Sequence, residues 1–285
     1  YRNYYREGLE DKLGVDVHLF KVGEYKSAAE PYILDGPSEE SRQADLFWMG
    51  DLWQRYLADI GAARGIDPAA LQADINAFDQ RIRGAGGDLA ALAVEQKLVD
   101  TLLDEAEFRQ RMIERGVLDE EEETFRQVSL DGYLGFLGRE RLPFDARPQV
   151  AVVVAQGEII DGEQPPGTVG GRSTTELLRD ARTDENVKAV VLRVDSPGGG
   201  VFPSEQIRRE VARIKETGKP VVVSMANVAA SGGYWISMNA DAIYANESTI
   251  TGSIGIFGLF FTVPDTLAKI GVRTDGVGTT ALAGA

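Results

Sequence analysis

The spacing of apolar residues changes character along the chain. Val15, Val17 and Leu19 alternate with Asp16 and His18, which predicts a strand with one buried face. A helical stretch from about Tyr4 leads into it, and Gly23 breaks it into a loop. Over 38–63 the period lengthens: Leu46, Met49, Trp53, Leu57 and Ile60 recur at three- and four-residue steps, forming one stripe of a long helix that serves as core or as a subunit contact. Asp67-Pro68 reads as an N-cap followed by proline at the first helical position, and predicts a second helix to about Phe78. After Gly84-Ala85-Gly86-Gly87, a further helical stretch covers 88–97.

Composition shifts at Leu142-Pro143-Phe144-Asp145-Ala146-Arg147-Pro148, where a linker is predicted. Beyond it, short apolar runs alternate with helices. Strands are predicted at 150–155, 187–194 and 221–225. Ser173-Thr174-Thr175-Glu176 reads as a capping box opening a short helix. Ile207, Val211 and Ile214 mark one face of a helix that starts at Ser204 and is closed by Gly218 and Pro220. This order implies an α/β fold whose functional loops lie at strand ends.

Two such loops carry candidate chemistry. Asp195-Ser196-Pro197-Gly198-Gly199-Gly200 follows one strand, and Ala229-Ala230-Ser231-Gly232-Gly233-Tyr234 follows the next. A serine at a sharp turn between tiny residues can expose its hydroxyl. Neighbouring glycines let backbone N–H groups approach a substrate carbonyl, so the pair points to acyl transfer. The base is harder to read. The chain has one histidine, His18, and no cysteine, and the alternation makes His18 a strand residue. The remaining ordinary base is a lysine neutralised by burial, and Lys26 stands among small residues in the loop after Gly23.

Four segments give this pattern a family. Gly23-Glu24-Tyr25-Lys26-Ser27-Ala28, Ser196-Pro197-Gly198-Gly199, Ala230-Ser231-Gly232-Gly233-Tyr234-Trp235-Ile236-Ser237 and Thr251-Gly252-Ser253-Ile254-Gly255-Ile256-Phe257-Gly258 resemble, in order, bacterial signal peptide peptidase A in its long tandem-repeat form. The resemblance implies a Clp-protease/crotonase-like superfold. It places the C-terminal part of a first repeat, with a helical linker region, at 1–147 and the N-terminal part of a second at 148–285. It implies Ser231 as nucleophile, Lys26 as general base and Ser253 as the residue that orients the lysine. The amides of Gly198 and Gly232 become oxyanion donors, with Gly199 shaping the same turn. No cofactor or metal is implied.

The substrates implied are cleaved signal peptides and similar hydrophobic peptides. The family is a homotetramer on the periplasmic side of the bacterial inner membrane, and the chain is then a fragment of a roughly twofold longer protein whose anchor lies upstream. Internal echoes agree with tandem repeats. Lys12-Leu13-Gly14-Val15 returns as Lys269-Ile270-Gly271-Val272, Val22-Gly23 as Val277-Gly278, and Tyr4-Tyr5 as Phe260-Phe261. Ala281 stands where the second copy would carry its own lysine.

Composition narrows the partners. With a net charge of −15 the chain repels a phosphate backbone, which excludes nucleic acid. The acidic run from Asp104 to Glu123 has no histidine or cysteine beside it and reads as a solvated surface, with a divalent-metal site as the alternative. No stretch reaches the ~18 apolar residues that a membrane span needs. Two other functions share the motifs. A crotonase-like acyl-CoA enzyme would use the same glycine-loop amides but lacks a carboxylate base pair here, and a peptidase-derived scaffold would not need both Ser231 and Lys26.

Overall fold

The computed structural model describes residues 3–121, 123–138 and 148–273. They form two compact units, one of Tyr1–Met49 with Arg147–Ala285 and one of Gly50–Ala146. One break falls beside the predicted linker, whose residues 142–147 lie outside the described residues. The first segment belongs with the second half because its strand β1 (Asp16–Val22) pairs antiparallel with a late strand, Ile256–Thr262. Short α1 (Glu30–Ile33) follows, and α2 (Glu39–Arg64) carries the chain from the first unit to the second.

The Gly50–Ala146 unit is mostly short helices: α3 (Pro68–Asn76), α4 (Phe78–Gly84), α5 (Leu89–Glu95), α6 (Glu105–Arg115) and α7 (Leu130–Gly138), with a small ribbon of β2 (Leu118–Asp119) and β3 (Thr124–Phe125). Leu57, Leu71 and Leu92 are its buried hydrophobic side chains among the described residues, so one member of the predicted α2 stripe reaches a core. Asp67 caps α3 as read, accepting from the Ala69 N–H, and Asp88 caps α5 in the same way through Ala91. A capping box does occur, but at Asp104 and Glu107 on α6.

The other unit is built on a parallel sheet. In chain order it contains β4 (Gln149–Gln156), β5 (Ile159–Ile160), β6 (Val169–Gly170), α8 (Gly171–Thr183), β7 (Val187–Ser196), α9 (Val201–Glu216), β8 (Val221–Ala230), α10 (Gly232–Ser237), β9 (Ala242–Tyr244), β10 (Ile250–Gly252), β11 (Ile256–Thr262) and α11 (Pro264–Lys269). β7 lies between β4 and β8, and β8 pairs first with β9 and then with β10, all parallel. Val190, Leu192 and Val194 of β7 and Val221, Val223 and Met225 of β8 meet Leu178, Ile207, Val211, Ile214 and Ile236 from α8, α9 and α10. Sequential parallel strands need crossover helices, and burial on one face selects the residues at every second position.

The predicted capping box at Ser173 does not form. α8 starts two residues earlier, and the Ser173 hydroxyl accepts from the Gln164 N–H at 3.4 Å, tying down the loop before the helix. Helix–glycine–valine echoes do share a shape: Gly14 after Glu7–Leu13 has φ 70°, and Gly271 after α11 has φ 80°. Val277, Gly278 and Ala281 lie outside the described residues.

Candidate active site

Three segments converge because of strand register. β10 lies beside the end of β8 with Gly252 opposite Ala230, and the Ser231 N–H donates to the Gly252 carbonyl at 2.9 Å, which sets Ser253 next to Ser231. Val22, the last residue of β1, lies opposite Ile256, so the loop after β1 faces residues 253–255. A turn from the Gly23 carbonyl to the Lys26 N–H, 3.2 Å, aims the lysine inward. The far side of the loop is fixed by buried Glu30, whose carboxylate accepts from the Ser38 hydroxyl at 2.6 Å and the Ser38 N–H at 3.1 Å ahead of α2.

As a result Lys26 and Ser231, far apart in sequence, meet. Lys26 Nζ is 2.9 Å from Ser231 Oγ, 3.1 Å from the Ser253 carbonyl oxygen and 3.3 Å from Ser253 Oγ. Burial lowers the Lys26 pKa, because the charged ammonium loses water and no carboxylate replaces it. Ser231 caps α10 with φ 52° and ψ −119°, a conformation that costs a residue with a Cβ and lifts the hydroxyl out of the strand-to-helix turn. Ser253 is also at positive φ, 46°.

The amides beside Ser231 are placed by close backbone approach. A Cβ on Gly232 would stand 2.5 Å from Ser204 Oγ and 3.2 Å from the Gly199 nitrogen, so only glycine lets the two loops touch. Gly199, at φ 156°, is bridged to Ile159: the Ile159 N–H donates to the Gly198 carbonyl and the Gly200 N–H to the Ile159 carbonyl. In a parallel bridge the N–H of the central residue points the other way. The Gly198 N–H, in contrast, donates to Ser196 Oγ at 3.1 Å. Gly199 and Gly232 have no acceptor for their N–H groups among the described residues.

Lys26 and Ser231 lie in a cleft of roughly 950 Å³ whose walls include Val22, Tyr25, Tyr234, Trp235, Ile254 and Phe257. Sequence reasoning did not assign Trp235 or its support. Its indole N–H donates to Glu205 at 2.8 Å, and Arg208 and Arg209 hold that carboxyl well below the usual carboxylate range. His18 and Lys269, the lysine of the repeat echo, are engaged elsewhere. His18 Nε2 is 3.0 Å from Thr262 Oγ1 with its ring stacked on Phe260, and Lys269 donates to the Lys12 carbonyl. The described residues contain no group of side chains suited to holding a metal ion.

A model of "Peptidase family S49" matches residues 2–115 and 213–285. Protease 4 of Salmonella typhi is 47% identical over 98% of this chain and 44% of its own length. Protease 4 of Haemophilus influenzae is 39% identical over 99% of this chain and 46% of its own. The chain thus spans less than half the length of the curated relatives it matches. Among solved structures, a point mutant of ClpP1 from Listeria monocytogenes overlaps 35% of this chain and 50% of its own, with 22% identity and a TM-score of 0.26.

Proposed function

The chain belongs to peptidase family S49, and from that premise we propose that the protein is a serine peptidase in which Ser231 is the nucleophile and Lys26 its general base. The observation that carries this reading is the 2.9 Å separation of Lys26 Nζ and Ser231 Oγ, with the lysine pKa lowered by burial. A neutral Nζ accepts the Ser231 proton as Oγ attacks the scissile carbonyl carbon. The tetrahedral oxyanion is held by the amides of the glycine loop and Gly232; the resting hydrogen bonds favour Gly199 over Gly198 as the partner of Gly232. Lys26 then gives its proton to the departing amine. In the second half it takes a proton from water as the water oxygen attacks the acyl carbon; the bond from Ser231 Oγ to that carbon breaks, the peptide acid leaves, and Lys26 returns the proton to Oγ. Ser253 keeps Nζ in line through its hydroxyl and carbonyl oxygens.

An apolar cleft suits extended hydrophobic peptides, and cleaved signal peptides at a membrane are the proposed substrates. The reading includes tandem repeats, the first supplying Lys26 and the second Ser231, and a homotetramer on the periplasmic side of the inner membrane, both supported by the motif resemblance. Among the described residues no helix is long and apolar enough to cross a membrane. Labelling the full-length protein with a fluorophosphonate tests the chemistry. Mass spectrometry should place the adduct on Ser231, and both Ser231→Ala and Lys26→Arg should lose it. An adduct on Ser224 or Ser237 with Ser231 unmodified would refute the assignment.

A further inference from the structure

The cleft around Lys26 and Ser231 also contains a carboxylate. Among its described lining residues, Lys26 is the one basic and Glu158 the one acidic side chain. Glu158 stands on tightly held backbone: its carbonyl accepts from the Val169 N–H at 2.9 Å, and the next residue exchanges hydrogen bonds with Gly198 and Gly200, 2.9 and 2.8 Å. Ile159 is buried in the core, and successive side chains along an extended segment point to opposite sides, so the Glu158 side chain is turned out to the cleft. There it makes no hydrogen bond or ion pair with any described residue. The carboxylate of Glu205, which supports the cleft residue Trp235, is by contrast occupied by Arg208, Arg209 and Trp235 itself.

A rigidly placed, unpaired carboxylate in an otherwise neutral and apolar cleft is an acceptor for a cation brought by the ligand. The net charge of −15 adds a field of the same sign.

We propose that Glu158 is a specificity-determining residue of the peptidase site, binding a cationic group of the peptide, either a basic side chain or the free terminal ammonium, while an apolar segment fills the rest of the cleft. This rests on the peptidase reading above. The substrate class becomes hydrophobic peptides with a positive charge near the scissile bond.

The test uses the full-length protein and N-acetylated peptides in which one lysine is moved along an apolar sequence, each paired with its norleucine analogue, and the same peptides with a free amino terminus. At one position, lysine over norleucine should raise kcat/KM roughly three- to tenfold at low salt, less at high salt. A gain that follows the free terminus instead identifies the ammonium as the cation. Glu158→Gln should reduce the ratio to near unity, and Glu158→Lys should reverse it in favour of a glutamate peptide. Each ratio is taken within one enzyme, so a partly folded variant does not change it. A ratio equal in wild type and Glu158→Gln would overturn the proposal with the peptidase reading intact. Failure of the wild type to cleave any of the peptides would remove both.

Discussion

Ser231 pays for the placement of its hydroxyl beside Lys26 in backbone strain. At φ 52° and ψ −119° a Cβ costs roughly 1–3 kcal/mol, and glycine adopts the same turn freely at an entropic cost of about 0.5–1 kcal/mol. Ser231→Gly should therefore unfold later than Ser231→Ala by about 1 kcal/mol, both being inactive; equal denaturation midpoints would argue against strain at this position. Lys26 makes a complementary prediction in pH. Burial lowers its pKa, so the neutral form needed to accept a proton is reached below the ordinary lysine value of ~10.4. kcat/KM should fall as pH drops through the lowered value and level off above it, and a limb centred at or above ~10.4 would contradict the role. Part of this arrangement was legible in sequence: Ser231 sits among tiny residues, the strand position of His18 left a lysine as the remaining ordinary base, and the motif resemblance pointed to Lys26. What stayed hidden is tertiary. The Ser196 hydroxyl that occupies the Gly198 N–H, the Glu205 carboxylate behind Trp235 and the free Glu158 carboxylate have no sequence period to announce them.

Helix α9 shows how an element is held on the sheet. One face delivers Ile207, Val211 and Ile214 to the core, as their spacing implies, but Glu210 is buried beside them with no exposed surface. Its carboxylate accepts from Arg182 Nε at 2.7 Å on α8 and from Arg213 at 3.0 Å, locking the two helices together. Burial alone would raise the Glu210 pKa; the two arginines outweigh it and the net direction is down. A carboxyl lowered in the folded state contributes stability above its unfolded value, ~4.3, and loses it as pH falls through the folded value. Glu210→Gln should cost about 2 kcal/mol at neutral pH, below the usual range for a broken buried pair because both arginines reach water. The deficit should shrink in acid, and an unchanged urea midpoint at neutral pH would show that the pair contributes nothing. Strands β4, β7 and β8 were readable as short apolar runs, helices α2 and α9 from periodicity, and α3 from its Asp67-Pro68 start. The edge strands β9 and β10 are three residues each, too short to show a period, and β11 is mostly exposed along its length, so its partner β1 defines it. The box at Ser173-Glu176 was a valid local signal overridden by the loop that Ser173 fastens.

At the scale of the molecule, the described part of one chain brings together Lys26, Ser231, Ser253, Gly199 and Gly232, so the proposed site needs no residue from a second copy. What assembly can do is restrict access. The stripe on α2 that a lone helix would turn to a core is largely exposed: Leu46 is 74% exposed, its neighbour Phe47 84% and Met49 53%. Contiguous apolar residues on a helix surface mark contact with another surface, and a second copy is the occupant that the proposed tetramer supplies. Light scattering of the full-length protein should then give the mass of several chains, and Leu46→Asp with Phe47→Asp should lower it. Because the proposed Ser231–Lys26 pair lies within one chain, the dissociated variant should still take a fluorophosphonate on Ser231 and still cleave short peptides. It should also gain activity on a long unstructured protein such as casein, whose entry the assembly limits. A monomeric wild type, or a dissociated variant that loses labelling while staying folded, would contradict the separation of chemistry from access.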